Sequence, residues 1–379
     1  PQPGGGGVIL RSLIKYLPEF SIQWKYLSSK PAKGYEQGFM GEGIMGSSII
    51  NDIVGTWRLL TGRQVKKIEE VVKQLLETDC DAYWIVSHNE GLRIALELCR
   101  LQNKRPVHLT VHDDWAGALS ARSKRYRFVS GLAKKMTITA LQKVTSVDLI
   151  SKGMQIYYLG LSNREGNICH RYLPPESVGA FIHLPKADPS ELNVGHIGSI
   201  YDKDDFALFL SLLQVYGEVK GIKVNVNMWG YHPGKDTLSS RFPGMLKMHK
   251  DLPEEKAIPE LSNCDFVYSM YPLSGKLGVF SRTSLPTKLT SYVQACRPIF
   301  GHGPADSTLA EFLQNTRTGF IWSSANNNDG MDLIDKILDL DHSDILWKKA
   351  RDQYFGEQNL AVMRNALGPV THPILETGQ

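Results

Sequence analysis

No apolar run in the 379-residue chain reaches the ~18 residues that a membrane-spanning helix needs, and no stretch reads as a cleavable leader. Cysteine is scarce, and the five at positions 80, 99, 169, 264 and 296 lack the paired spacing of a disulfide framework or a zinc site. Three of them fall inside apolar helix or strand patterns, so they read as reduced thiols in a reducing, cytoplasmic compartment. The 11 histidines are scattered, and neither GxSxG nor GxxxxGK[ST] is present. No metal centre, serine-hydrolase elbow or P-loop is therefore expected. Asp339-Leu-Asp341 matches an acidic metal–diphosphate triplet, but it closes a helix pattern and reads as chance. Excess charge is also low, at +4. That suits anionic small ligands or a membrane surface and is too weak to argue for nucleic acid. Short-period repeats and low-complexity tracts are missing.

What is present is an alternation of strands and helices over a length that favours two domains. The chain opens on Pro and four glycines, followed by a helix pattern (Val8, Leu10, Leu13, Ile14, Leu17). A glycine turn entering a helix normally follows a strand. None precedes it, so the first strand is expected to lie outside the supplied chain. Gly4 to Gly7, with Gly6 at its centre, reads either as close approach of backbone to a ligand or as a flexible stub. Ser21–Ser28 reads as a strand, 31–62 as a mobile loop (a disordered insertion or part of an acceptor pocket), Gln64–Glu77 as a helix, and Cys80–Ser87 as a strand. Asn89–Gln102 reads as a helix, Pro106–Trp115 as a strand running into a loop, and Ala121–Lys135 as a basic helix. Another strand and helix complete a domain over 1–170. Pro174, Pro175, Pro185 and Pro189 mark a linker over 171–192. A second α/β domain spans 193–345, and a helix and tail over 346–379 are placed to pack back on the first. The fold class is α/β, with two Rossmann-like domains facing across a cleft.

Five places carry candidate chemistry. Ser284 to Gly303 reads as loop, helix, strand and glycine turn. Pro286 suits a first helical turn, and Thr287 suits an N-cap. Ser281, Arg282, Thr283, Ser284 and Lys288 gather there, and a helix N-terminus among hydroxyls and cations fits a phosphate. A lysine at a helix N-terminus opposes the macrodipole, and an anion supplies the compensation. Gly198 and Ser199 end the first strand of the second half, with Lys203 four residues on, either a point charge for a diphosphate or a surface lysine. Lys276 also lies near the Ser284 element. His112 ends an apolar strand, where it either looks toward a ligand, as that position does in an open α/β sheet, or caps the strand for structural reasons. Asp113 and Asp114 either orient an acceptor hydroxyl, serve as a base, or are simply solvated. The run Arg122 to Lys135, interleaved with Tyr126, Phe128 and Leu132, fits either anionic lipid or a solvated face with its apolar side in the core.

Taken together, the glycine turn at Gly4–Gly7, VHDDW, GHIGSIYDK and CDFVYSMYPL…LPTKLTSYVQACRPIFG resemble GT-B-fold glycosyltransferases. They resemble in particular the retaining, nucleotide-sugar-dependent group. The resemblance covers nearly the whole chain and is most specific over Leu285–Phe300. It implies a nucleoside diphosphate sugar as donor, UDP- or GDP-linked, and a hydroxyl acceptor such as a glycan or lipid-linked sugar. By position it implies that Thr283, Ser284, Thr287 and Lys288 hold the diphosphate, with Lys203 as a second cation. His112 would face the transferring sugar, and His249, Lys250 and Leu252 would lie at the base. No metal is implied. The sequence departs from the family at Ser199, where an arginine is usual, and at Ser291, where a glutamate is usual. A nucleotide-sugar epimerase and a non-catalytic sugar-nucleotide-binding scaffold are the alternatives on the same fold.

Overall fold

The β-branched runs and the helix patterns between them build two separate parallel sheets. The computed structural model describes residues 5–28, 30–43, 49–63, 65–87, 90–101, 104–117, 127–181, 188, 190–230, 235–340 and 343–368. Gly4 and the cations Arg122, Lys124 and Arg125 lie outside these, as does Asp341. Contacts divide the chain into an N-terminal unit, Arg11–Cys169 with Gln358–Gln379, and a C-terminal unit, Pro1–Leu10 with His170–Glu357.

The first elements are α1 (Gly5–Lys15), α2 (Ile49–Thr61), α3 (Val65–Leu76), β1 (Tyr83–Val86), α4 (Gly91–Leu101) and β2 (Val107–Val111). They are followed by α5 (Arg127–Lys143), β3 (Ser146–Leu149), α6 (Lys152–Ser162) and β4 (Asn167–Ile168). The four strands lie in the order β1-β2-β3-β4, all parallel. Strand β2 is buried throughout yet alternates apolar and polar residues. Its polar face is paired across strands. His108 Nε2 lies 2.7 Å from Asp148 Oδ1, and Thr110 Oγ1 donates to the same oxygen at 2.5 Å. Trp84 Nε1 donates to Thr110 Oγ1 at 2.7 Å. Pairing of this kind removes the cost of burying polar groups.

Three expectations are corrected. Ser21–Ser28 joins no sheet and makes a single bridge, Tyr26 to Phe39, because Tyr26 spends its amide and carbonyl on Gly38 and Met40. Part of the expected mobile loop is α2, whose Thr56 is fully buried. The expected single terminal helix is two, α14 (Asp344–Phe355) and α15 (Gln358–Leu367), parted at Gly356, whose backbone is extended.

The C-terminal unit contains β5 (Glu191–Ile197), α7 (Lys203–Lys220), β6 (Lys223–Trp229), α8 (Lys235–Arg241), β7 (Leu246–His249) and α9 (Glu254–Ser262). Next come β8 (Phe266–Met270), α10 (Gly278–Thr283), α11 (Leu289–Gln294), β9 (Ile299–His302), α12 (Thr308–Thr316), β10 (Gly319–Trp322) and α13 (Asn327–Leu338), before α14. The strands run β10-β9-β8-β5-β6-β7, all parallel. This is the doubly wound order in which the strand sequence switches direction across the sheet between its first and fourth strands, here β5 and β8. An aromatic core holds that junction: Phe209 stacks on Tyr268 at 4.0 Å, and Phe206, Phe266 and Phe300 surround it.

Candidate functional site

At the carboxyl end of β5 the backbone turns through Gly198, whose φ is +80°. Gly230, at the end of β6, has φ +127° and approaches so closely that a Cβ there would stand 3.4 Å from the Gly198 nitrogen. Only glycine takes both positions without strain. Lys288 comes to this turn from the far side of the switch point, its Nζ donating to the Ser199 carbonyl at 3.3 Å. The ammonium also lies 5.8 Å from the Tyr201 ring. Lys288 is half-buried, and the loss of solvation around its ammonium pushes its pKa down to about 7. One neutral carbonyl is weak compensation for a buried cation. An anion beside it would supply further compensation.

The surrounding elements make Lys288 the main cation here. The cap expected at Thr287 falls at Lys288, with no side-chain cap bond. The amides of Leu289 and Thr290 already bond Pro286 and Thr287 oxygens, and α11 has only 6 residues, too short for a strong dipole. Hydroxyls expected to face a phosphate serve the loop: Ser281 Oγ donates to Gly278 O and Thr283 Oγ1 to Val279 O. The Ser284 amide bonds Phe280 O, and its carbonyl accepts from Tyr271 Oη and Thr308 Oγ1. Arg282 is exposed and lies 3.4 Å from Asp306. The start of α7 is filled by Asp202, whose carboxylate accepts from the Asp204 and Asp205 amides. An anion gains little there. Lys203 is exposed on the first turn of α7.

Beyond the switch point, His249 at the end of β7 stacks on Trp229 at 4.9 Å and 16°, and its Nε2 lies 3.0 Å from Asn227 Oδ1. Lys250 and Leu252 follow in an exposed loop that leads into α9. The first residue of α9 is Glu254. Its Oε1 accepts from Ser291 Oγ at 2.8 Å and from Arg171 Nη1 at 2.5 Å. Arg171 also donates to Thr290 Oγ1 at 3.2 Å. Ser291 is three residues beyond Lys288, about one helical turn.

In the N-terminal unit His112 follows β2 and is buried, with Asp113 half-buried beside it. Asp114 is structural: Oδ2 accepts from the Gly117 amide at 2.8 Å and Oδ1 from Tyr158 Oη at 2.7 Å. Burial first, then this carboxylate, pushes the Tyr158 phenol well up. Gly6 lies in the first turn of α1 itself, with Gly5 and Gly7, instead of in a turn before it. Among the described residues no group of histidines, cysteines and carboxylates is placed to hold a metal ion.

No protein-family model and no curated protein matches the chain. Solved structures do. Trehalose-6-phosphate synthase OtsA superposes with a TM-score of 0.64 at 13% identity, over 97% of this chain and 95% of that one. Sucrose-phosphate synthase from Thermosynechococcus elongatus gives 0.64 at 11%, over 96% and 92%. Staphylococcus aureus TarM, solved with fondaparinux, α-GlcNAc-glycerol and UDP, gives 0.54 at 14% over 80% of this chain, which spans 59% of TarM. The fold is that of the GT-B glycosyltransferases.

Within this GT-B chain, Gly198, Ser199 and Lys288 meet at one strand end, and His249 lies two strands away on the same sheet edge. Lys203 and Arg282 are exposed on flanking elements. Sequence reading missed Glu254, Arg171 and Trp229. The acidic first turn of α9 was visible as Glu254-Glu255, but nothing local joined it to Ser291.

Proposed function

We propose that the chain is a glycosyltransferase that moves a sugar from a nucleoside diphosphate donor to a hydroxyl acceptor. The observation that carries it is the under-compensated ammonium of Lys288 at the switch point of a doubly wound sheet, where such folds receive phosphorylated ligands. The donor lies along the sheet edge in the order of its own parts. Its base rests near the His249–Trp229 stack and the loop through Lys250 and Leu252. Its ribose hydroxyls meet Glu254, and its diphosphate meets Lys288, with Lys203 as a second cation. Thr283, Ser284 and Thr287 shape the loop around it. UDP is the donor nucleotide favoured over GDP, since TarM was solved with UDP.

Chemically, the departing diphosphate gains negative charge as the glycosidic bond breaks. A fixed ammonium in a poorly solvated corner stabilises that charge without reorganisation, so the step has no need of a divalent ion. Retention rests on the resemblance to the retaining group as a whole, and a role for His112 and Asp113 toward the transferring sugar and acceptor on the resemblance at VHDDW. A glycan or lipid-linked sugar is the acceptor class favoured, TarM having been solved with α-GlcNAc-glycerol and fondaparinux.

The test is incubation with UDP-, GDP-, ADP- and dTDP-sugars while nucleoside diphosphate release is followed with and without glycan and glycerol-type acceptors. Acceptor-dependent release is expected, strongest with a UDP-sugar. Interconversion of sugars without release would make the protein an epimerase, and binding without turnover a scaffold.

A further inference from the structure

Helices α5 and α6 of the N-terminal unit pack side by side, with α2 against α5. By sequence α5 and α6 carry five cations (Arg127, Lys134, Lys135, Lys143, Lys152) and no Asp or Glu. Their inner faces are apolar and sealed: Val129, Ala133, Met136 and Ala140 on α5, and Met154 and Tyr158 on α6. The outer face of α6 is unusual for a solvated helix. Lys152, Ile156, Leu159 and Gly160 recur at helical spacing and are exposed, Ile156 by 62% and Leu159 by 41%. On α5, exposed Leu132 is followed one turn later by exposed Lys135. Lys134 joins the two helices, its Nζ 5.6 Å from the Tyr157 ring centroid.

We propose that this face docks on an anionic lipid bilayer, with Ile156, Leu159 and Leu132 entering the headgroup region and the lysines around them meeting lipid phosphates. Charge complementarity selects the occupant. A face with cations of one sign, no carboxylate on either helix and separate projecting aliphatic side chains matches a negatively charged, laterally fluid surface. A second copy of the chain would set the same cations against each other. Among the described residues no helix is long and apolar enough to cross a membrane, so attachment of this kind is peripheral and salt-sensitive. The donor site belongs to the other unit, so docking and nucleotide binding fail independently.

Sedimentation of the full chain with phosphatidylcholine vesicles, with and without phosphatidylglycerol, tests it. Binding is expected with phosphatidylglycerol only, weakening as salt rises. K134E/K135E is expected to weaken it at least about tenfold, since each basic residue near an anionic leaflet contributes roughly fivefold. I156S/L159S, at exposed positions that leave the core intact, is expected to weaken it about tenfold or more. UDP affinity, checked in parallel, stays at the wild-type value in both. Equal binding to both vesicle types, binding to neither, wild-type binding by both variants, or a dimer that I156S/L159S converts to monomer would each overturn the proposal.

Discussion

Ser291 Oγ donates to the carboxylate of Glu254 at 2.8 Å, across 37 positions of sequence. The helix turn after Lys288 therefore has an acid beside it, although its own residue is a serine. Arg171 fixes that acid from a third segment. The arrangement leaves Oε2 of Glu254 to accept from a ligand hydroxyl.

Removing this carboxylate is expected to weaken UDP binding about 10–100-fold in Glu254→Ala, the range for a hydrogen bond to a charged group. The same variant should no longer distinguish UDP from 2′,3′-dideoxy-UDP. Adding Ser291→Glu to it is expected to restore most of both properties. Calorimetric titration of the three proteins with the two nucleotides checks this. Discrimination that survives in Glu254→Ala would separate the residue from the ribose.

Lys288 is expected to set the pH dependence of UDP binding. Burial lowers its pKa to about 7, whereas a bound diphosphate favours the charged form and raises it. The free protein thus loses the proton as pH rises through 7, and the complex keeps it. Affinity for UDP is expected to fall about tenfold per pH unit above 7, with uptake of about one proton per UDP at pH 8. Titration in buffers of different ionisation enthalpy measures the uptake, and Lys288→Met should abolish it.

The same substitution should stabilise the ligand-free protein. Between pH 7 and 10.5 the unfolded chain holds a proton that the folded lysine has released, so the native lysine is a liability that lessens as pH rises. The gain in Lys288→Met is expected to be about 1–2 kcal/mol, discounted because the residue is half-buried instead of sealed. That corresponds to roughly 3–6 °C in Tm. Thermal unfolding at pH 7 with and without UDP is the measurement; the wild type should gain more from ligand than the variant.

His302 governs the acid limb of stability. It is fully buried between Tyr268, whose hydroxyl lies 2.9 Å from Nδ1, and Trp322 at 4.6 Å. Burial lowers its pKa from 6.5 to about 4. Unfolding therefore takes up a proton between those values, and stability falls as pH drops through that window by about 3 kcal/mol. His302→Phe is expected to cost about 1–3 kcal/mol at pH 7.5 by stranding the Tyr268 hydroxyl, and to flatten the limb. Urea unfolding across pH 4–7.5 separates the two effects.

Strands such as Phe266–Met270 were legible because a short run rich in aromatic and β-branched residues between turn residues has few other destinies. Lys288 drew notice in the sequence as a cation opposing a helix dipole, but α11 is too short for that dipole to matter, and what sets the lysine apart is its place against the turn after β5. Helix α2 was not, since glycine and serine before it hid the spacing of Ile49, Ile53, Trp57 and Leu60. Thr287 lost the cap to Lys288 because the carbonyls of Pro286 and Thr287 close tight turns that delay the helix. Glu254 could not be found at all by local pattern. Its partners lie 37 and 83 positions away, and only the sheet order brings them together.

The last helix of the described chain has a consequence for synthesis. Arg364 on α15 pairs with Glu19 at 2.6 Å, 345 positions earlier, and the Asn359 carbonyl receives the buried Cys169 thiol. The unit that begins at Arg11 is thus closed by residues made more than three hundred positions later. On the ribosome its sheet must wait, open along the β3–β4 side that α15 covers, while the whole C-terminal unit is made. A nascent chain arrested before Gln358 should hold a complete C-terminal unit and an unfinished N-terminal one.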